Sequence, residues 1–308
     1  MSLPPDWRGV RTLAPAKINA TLLVGPVRPH DGRHELASVM QSLTLADDVA
    51  LVPAPPGQGG DAVACPGVTG PNLALDALVA FRAATGWDAP PLTVRIEKRI
   101  PVAAGMAGGS ADASATLRLA AHAAGVDDPA LLQRLATALG ADVPHGLEPG
   151  LALAAGAGEA LERIDGVLPG GLVVVPAPVG LSTPAVFRRA DELRPPRAAD
   201  EIAAALGRLR AALGDPAGPR IPDDLAANDL ADAAVDLAPV VGDHLTLLRA
   251  AGAAPATVCG SGPTVAGWFA DEAAAAAVAD DLGAHGVRAV VALPTRGAPV
   301  ATIPAVPA

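Results

Sequence analysis

The sequence predicts an α+β protein of two domains. Three observations carry that expectation. The chain has 308 residues, enough for two hydrophobic cores. Its texture changes near Asp165-Gly166, where the continuous apolar run "GGLVVVPAP" begins. The half that follows reads β, α, α, β, β, α, β, an order that suits an open α+β sandwich. The expected division is residues 1–165, residues 166–295 and a Pro/Ala-rich tail at 296–308.

Each element has a local reason. "VRTLAPAKINATLLVGPV" (10–27) reads as two short strands around a turn-like Ala14-Pro15-Ala16. "DGRHELASVMQSLTLADDVALV" (31–52) reads as extended, since Leu36, Val39, Leu43 and Leu45 fit neither period cleanly. "APPGQGGDA" is a loop. "PNLALDALVAFRAATG" reads as a helix with Pro71 at its start, Gly86 at its end, and Leu75, Leu78 and Val79 on one face. "PLTVRIEKRIPV" alternates Leu92, Val94 and Ile96 inward as a strand. A helix then runs to about Ala124. Asp127-Asp128-Pro129 caps another that ends at Gly140. "LALAAGAGEALERI" is a strand or hairpin.

In the second half, "GGLVVVPAP" (170–178) is a strand, and "RPPRAAD" and "GDPAGPRIPDD" are surface links. "APVVGDHLTLLRAAG" is a helix ending in Gly252. "ATVCGSGPTVAGWFA" is strand, glycine turn, strand. "DEAAAAAVADDLGAHG" is a helix with acids in its first turn, and "VRAVVAL" is a last strand. The tail "PTRGAPVATIPAVPA" reads as loose.

Composition narrows the function classes. Apolar residues make up 51% of the chain and aromatics only 2%, with no tyrosine, so the core is built from Ala, Val and Leu. A net charge of −10 without a Lys/Arg block argues against a nucleic-acid or anionic-membrane surface. It leaves room for a small anionic substrate, which needs only a local site. No apolar run reaches the ~20 residues that span a bilayer, and the N-terminus carries no signal-peptide core. Two cysteines, Cys65 and Cys259, without CxxC spacing fit a cytoplasmic protein.

Four constellations could carry chemistry. In "PVAAGMAGGSADASATL" (101–117) a strand runs through Gly105, Ala107, Gly108, Gly109 and Ser110 into a helix. The first amides of a helix lack internal partners and carry about half a positive charge, and small side chains let a phosphate approach them. The spacing is neither a P-loop nor GxGxxG, and a tight turn alone also tolerates glycines. Asp112 reads as a partner of the helix dipole or a metal-side group, and the loop alone favours the dipole role. In "APAKINATLL", Lys17 and Asn19 share a strand face, and Lys17 there is a snorkelling edge residue or a site cation, the stretch alone favouring the former. In "LGADVPHGL", Asp142 is a turn aspartate or a carboxylate beside Lys17, where opposite charges favour each other's ionised form. "CGSGPT" (259–264) is a hairpin turn or a flap over a ligand. "RPHDGRHE" matches no standard metal spacing; there His34 reads as a hydrogen-bonding side chain.

Taken in this order, the motifs resemble the GHMP kinases. Within them they resemble the branch that phosphorylates the 2-hydroxyl of 4-diphosphocytidyl-2-C-methyl-D-erythritol on the methylerythritol phosphate route to isoprenoids. The matching text is "APAKINATLLVGPVRPHDGRHELASVMQSLTLAD", "NLALDAL", "KRIPVAAGMAGGSADASATL", "GADVPHGLEPGLALAAGAGEAL", "ANDLADAAVDLAP" and "CGSGPTVAGWF". The resemblance implies an N-terminal α+β domain followed by a ferredoxin-like C-terminal domain. It implies ATP on Gly105, Ala107, Gly108, Gly109, Ser110 and Asn72, with Mg2+ and Ser110 as its candidate ligand. Asp142 matches the catalytic carboxylate and Lys17 the catalytic lysine. Asn19 matches a substrate-side amide and His34 the residue that hydrogen-bonds the cytosine. Thr183 and Phe187 match the wall across from that base. The implied partner is a small cytidine-diphosphate substrate, with no nucleic acid and no membrane, for a monomer or homodimer.

The chain departs from the family at several points. Arg33 replaces a stacking tyrosine, and a guanidinium plane can also stack on a base. Ala107 replaces a loop glycine, which predicts that the glycine-only backbone is forbidden there. Ala111 replaces a hydroxyl residue and Cys259 a serine. His145 and Gly146 replace an aromatic pair, which predicts a thinner wall. A GHMP kinase for another alcohol, or a non-catalytic nucleotide-binding regulator on the same scaffold, are the alternatives. Retention of both Lys17 and Asp142 argues against the second.

Overall fold

In the computed structural model, residues 3–302 are described except 5 and 298. The first two strands form the backbone of the larger sheet. β1 (Val10–Val27) is one strand of 18 residues, where two were expected. It pairs antiparallel with β2 (His34–Pro53), and the register shifts between Pro15 and Lys17. Proline has no N–H for the ladder, so the expected break becomes a bulge inside a continuous strand. The irregularity frees the Lys17 N–H to bond Met106 O at 3.2 Å, which ties β1 to the glycine loop.

β2 is extended, as expected, and long enough for two partners on one edge. β4 (Leu92–Glu97) pairs with its C-terminal end and β5 (Leu151–Ala155) with its N-terminal end. β3 (Ala62–Ala64) lies parallel beside β4, and β6 (Ala160–Ile164) completes a hairpin with β5. Over this seven-stranded sheet pack α1 (Leu73–Thr85), α2 (Gly108–Ala124) and α3 (Pro129–Leu139). The buried face of α1 is Ala74, Ala77, Leu78 and Phe81; Leu75 is only partly buried and Val79 is exposed. The expected face was misplaced because Ala74 and Ala77 hold two of the four places of the i, i+3, i+4, i+7 stripe, beside Leu78 and Phe81. Asp128 caps α3 through Leu131 N–H, as its sequence predicts.

The second sheet is antiparallel, in the order β10 (Val290–Ala292), β7 (Gly171–Val175), β9 (Val265–Phe269), β8 (Ala256–Val258). With the helix before β8 and the helix after β9 it makes the βαββαβ arrangement of a ferredoxin-like unit. Four helices separate β7 from β8, where two were expected: α5 (Thr183–Leu193), α6 (Ala199–Leu213), α7 (Ala231–Leu237) and α8 (Val240–Ala250). "RPPRAAD" is only the link between α5 and α6. The alanine-rich segment after it folds because Ile202, Ala205, Leu209 and Leu213 make one buried stripe. α9 (Glu272–Ala284) begins on an Asp271 cap.

One apolar cluster joins Ile18, Leu23 and Leu43 of the first sheet to Leu172, Val174 and Trp268 of the second, so the two sheets share a core. The expected loose tail is partly ordered. β11 (Ala301–Thr302) pairs with Val10 and Arg11 at the edge of β1, and residues 298 and 303–308 of that tail lie outside the described residues. Cys65 and Cys259 are free. Among the described residues no helix is long and apolar enough to cross a membrane.

Candidate active site

α2 begins with its amides open. The residue before it, Ala107, sits at φ +56° and ψ +31°, and no side chain caps the turn. The first intrahelical bond is Ala111 N–H to Ala107 O, 2.9 Å. Ala107 thus adopts the left-handed backbone that a β-carbon was expected to forbid there; the surrounding loop imposes it, at a cost of roughly 1–2 kcal/mol. A β-carbon added at Gly109 would meet nothing within 4 Å, whereas at Gly105 (φ +73°) it would lie 2.3 Å from Cys259 O. Gly109 therefore leaves the helix front accessible. Gly105 lets the loop lie backbone to backbone on the 259–262 turn.

Beneath this helix front lies a buried charge cluster. The Lys98 ammonium bonds Asp112 Oδ2 at 2.8 Å and also bonds Asp47, whose other oxygen accepts the N–H groups of Arg99 (2.6 Å) and Ile100 (2.8 Å). Asp112 is therefore an ion-pair partner, not the dipole partner expected. It stands a full turn into α2, too deep for the helix end to act on it. Burial pushes its carboxyl up to about 7 despite Lys98, because one cation serves two acids. Its Oδ1 is buried without a hydrogen-bond partner.

Lys17 and Asp142 meet beside the same opening, with Nζ 3.3 Å from Oδ1. The lysine side chain is 7% exposed and the aspartate 39%. Lys17 also donates to Asn19 Oδ1 at 2.7 Å, and Asn19 Nδ2 donates to Ser38 Oγ at 2.8 Å. Asn19 is thereby locked in orientation on the strand face it shares with Lys17. Asp142 precedes a short helix that the sequence did not reveal, α4 (Val143–Leu147).

A cavity of about 550 Å³ gathers these groups. Lys17, Asn19, Asn72, Gly105, Ala107, Gly108, Gly109, Asp142, Thr183 and Phe187 line it; Ser110, Arg33 and His34 do not. Asn72 caps α1 by accepting Ala74 N–H at 3.0 Å. Thr183 Oγ1 and Ser261 Oγ are 2.8 Å apart, so the second glycine turn reaches the same wall. His34 stacks on Phe187 with ring centroids 5.4 Å apart, its Nδ1 2.7 Å from Gly25 O and its Nε2 3.2 Å from Asp191 Oδ2. Arg33 is exposed on the turn before β2. His145 and Gly146, expected to thin the wall, lie behind it. His145 is buried against Ser42 and Arg163, and Gly146 packs on Ser114.

Comparison with known proteins follows the same lines. Residues 72–158 match the GHMP kinases N terminal domain, and residues 202–288 match the GHMP kinases C terminal model. A 4-diphosphocytidyl-2-C-methyl-D-erythritol kinase of Anaeromyxobacter sp. (strain K) is 43% identical over 94% of this chain and 91% of its own. The chain belongs to the GHMP kinases, in the branch of the 4-diphosphocytidyl-2-C-methyl-D-erythritol kinases. The kinase of that name from Kineococcus radiotolerans is 40% identical over 91% of this chain and 87% of its own. A crystal structure of 4-(cytidine 5'-diphospho)-2C-methyl-D-erythritol kinase superposes with a TM-score of 0.69 at 32% identity, covering 94% of this kinase and 98% of that chain. A homoserine kinase from Cytophaga hutchinsonii, 16% identical with a TM-score of 0.67 and covering 95% and 97%, shares the fold.

Sequence reasoning missed the Lys98–Asp47 pair under the glycine loop of this kinase. Asp47 closes "TLAD" and Lys98 opens "KRIP", two fragments quoted for other reasons; only the β2–β4 pairing of Asp48 with Glu97 brings them together. Asn228 was missed too. Its Nδ2 donates to Val258 O and Gly260 O, both at 2.8 Å, and so shapes the second glycine turn.

Proposed function

We propose that this kinase transfers the γ-phosphoryl group of ATP to the 2-hydroxyl of 4-diphosphocytidyl-2-C-methyl-D-erythritol, a cytoplasmic step of non-mevalonate isoprenoid precursor synthesis. The observation that carries the reading is the Lys17–Asp142 pair beside an uncapped helix front in one cavity. The relatives' shared name supplies the acceptor.

Phosphoryl transfer asks a protein mainly for positioning and for charge stabilisation on the phosphoryl oxygens. The amides at Gly108, Gly109 and Ser110 hold the nucleotide's phosphates. Asp142 accepts the proton of the acceptor hydroxyl as that oxygen attacks the γ-phosphorus and the bond to the departing diphosphate breaks. Lys17 fixes the Asp142 carboxylate and offsets negative charge at the attacking oxygen. Phe187 offers a flat apolar face to the pyrimidine, with the Thr183 and Ser261 hydroxyls beside it.

The donors present fit a magnesium ion that arrives on the phosphates. Among the described residues no cluster of three or more ligating side chains exists to hold a metal independently, and Mg2+ commonly keeps waters and phosphate oxygens as most of its ligands. Ser110 would be its hydroxyl donor, and Asp112 Oδ1, buried and unpartnered, is the nearby carboxylate oxygen still unused. When bound, the ion neutralises charge on the β- and γ-phosphates.

A coupled ADP-release assay tests the reading. Turnover with the cytidylated methylerythritol, and none with mevalonate or homoserine, is expected. Turnover of either of those alcohols alone would assign the kinase another acceptor. Failure to transfer label from ATP to any of them would make the chain a nucleotide-binding protein without catalysis.

A further inference from the structure

α4 is five residues long and cannot hold itself. A helix of that length leaves most of its carbonyls without internal partners, yet it carries the chain directly after Asp142 and is buried at Val143, Pro144 and His145. Side chains from elsewhere hold its carbonyls. Arg163 on β6 donates from Nη2 to Pro144 O at 3.0 Å and to His145 O at 3.2 Å. The carbonyl nearest Asp142, Val143 O, lies 2.6 Å from Ser114 Oγ.

Ser114 is fully buried on α2, one turn beyond Ser110, whose carbonyl lies 2.8 Å from the same hydroxyl. The single hydroxyl proton is shared between Ser110 O, at the phosphate-facing end of α2, and the closer Val143 O of the peptide that follows Asp142. The approach of the two helices at this point is set by Gly146. A β-carbon there would stand 2.5 Å from Ser114 Oγ and 2.7 Å from Ser114 Cβ. Serine on one helix and glycine on the other form a matched pair, and no other side chain separates them.

We propose that Ser114 is a positioning residue for phosphoryl transfer, fixing Asp142 relative to the nucleotide's phosphates through Val143 O, with Gly146 as its steric counterpart. The proposal rests on Asp142 acting as the proton acceptor. Ser114 touches neither the cavity nor Lys17, so it acts on the rate by holding a distance. A displaced reacting group slows a positioned reaction by up to about a hundredfold per ångström.

The test measures kcat and KM separately for ATP and for the alcohol, alongside thermal melting. Ser114→Ala keeps the fold and the open amides. It is expected to lower kcat about tenfold or more, with both KM values within about twofold of the parent. Ser114→Cys, nearly isosteric with a weaker donor, is expected to fall between. Gly146→Ala is expected to lower both melting temperature and kcat. Pairing it with Ser114→Gly, which removes the opposing β-carbon, restores melting but not kcat, because the hydroxyl is absent. Parental kcat in Ser114→Ala, or a restored kcat in the paired variant, would overturn the proposal and leave Ser114 as packing. Asp142→Asn is run in parallel. Retained turnover there overturns the role of Asp142 itself, whereas lost turnover there with normal turnover in Ser114→Ala overturns only the positioning role.

Discussion

Lys17 and Asp142 stand 3.3 Å apart, although one comes from the bulged first strand and the other from the entry to α4. The lysine is nearly buried and the carboxylate is open to the cavity, so the cation is fixed and the acid faces the cavity. Asp142→Asn keeps the shape and removes the proposed proton acceptor. Turnover is expected to fall by about 10²–10⁴, with ATP affinity, read by calorimetry, within a few-fold of the parent. Near-normal turnover would take Asp142 out of the chemistry.

The two loop glycines separate binding from folding. A side chain at Gly109 enters open space, so Gly109→Val is expected to fold with a parental melting temperature and to weaken ATP by tenfold or more, as the branched group covers the amides. Gly105→Ala forces a β-carbon against Cys259 O and Gly262 O at a positive φ. It is expected to cost about 2–4 kcal/mol in urea unfolding. Equal effects of the two substitutions on melting would contradict the packing of this loop.

Removing Lys98 leaves Asp47 and Asp112 facing each other in the interior. Lys98→Met is expected to destabilise by about 3–5 kcal/mol, and adding Asp112→Asn is expected to recover part of that loss. The Asp112 carboxyl titrates at about 7 when folded against an ordinary 3.8, so it binds its proton more tightly in the folded state. Stability through this group declines as pH rises from about 4 to 7. Asp112→Asn should flatten that decline in melting curves taken across the interval.

His145 has the opposite signature. Burial, with Arg163 and Lys17 adding repulsion, pushes its imidazole down to about 3 from 6.5. The unfolded chain takes up this proton near pH 6.5, while the folded chain resists it until about pH 3. Stability is therefore lost on acidification across that window, by up to about 1.4 kcal/mol per pH unit. His145→Leu is expected to be less stable at pH 8, having lost its Ser42 and Arg163 contacts, and to show a shallower acid limb. An unchanged slope would mean the folded protein admits the proton.

Much of this was legible in the sequence where local chemistry decides. Asp128, Gly86 and Gly140 mark helix ends through caps that need no tertiary information. The opening of α2 was readable for the same reason, since it depends on residues adjacent in the chain. What was lost depended on distance or on small residues. Half of the buried stripe of α1 is alanine, so it carries little hydrophobic contrast. Pro15 looked like a break because a lone strand cannot show that its neighbour tolerates a bulge. Asp112 looked like a dipole partner because Lys98 and Asp47 reach it only after β2 and β4 pair. His145 and Gly146 looked like cavity wall because α4, which turns them inward, is too short to announce itself.

The seam where Gly105 meets the carbonyls of Cys259 and Gly262 has a consequence for how this scaffold diversifies. Main chain rests directly on main chain there, so no rotamer can absorb a change, and mutation offers few neutral routes. The stretch carrying Thr183 and Phe187 presents adjustable side chains to the same cavity. With the proposed division of the cavity, drift in acceptor preference can proceed along α5 while the proposed nucleotide end stays constant, and a designer seeking a new alcohol should vary the former and leave the latter alone.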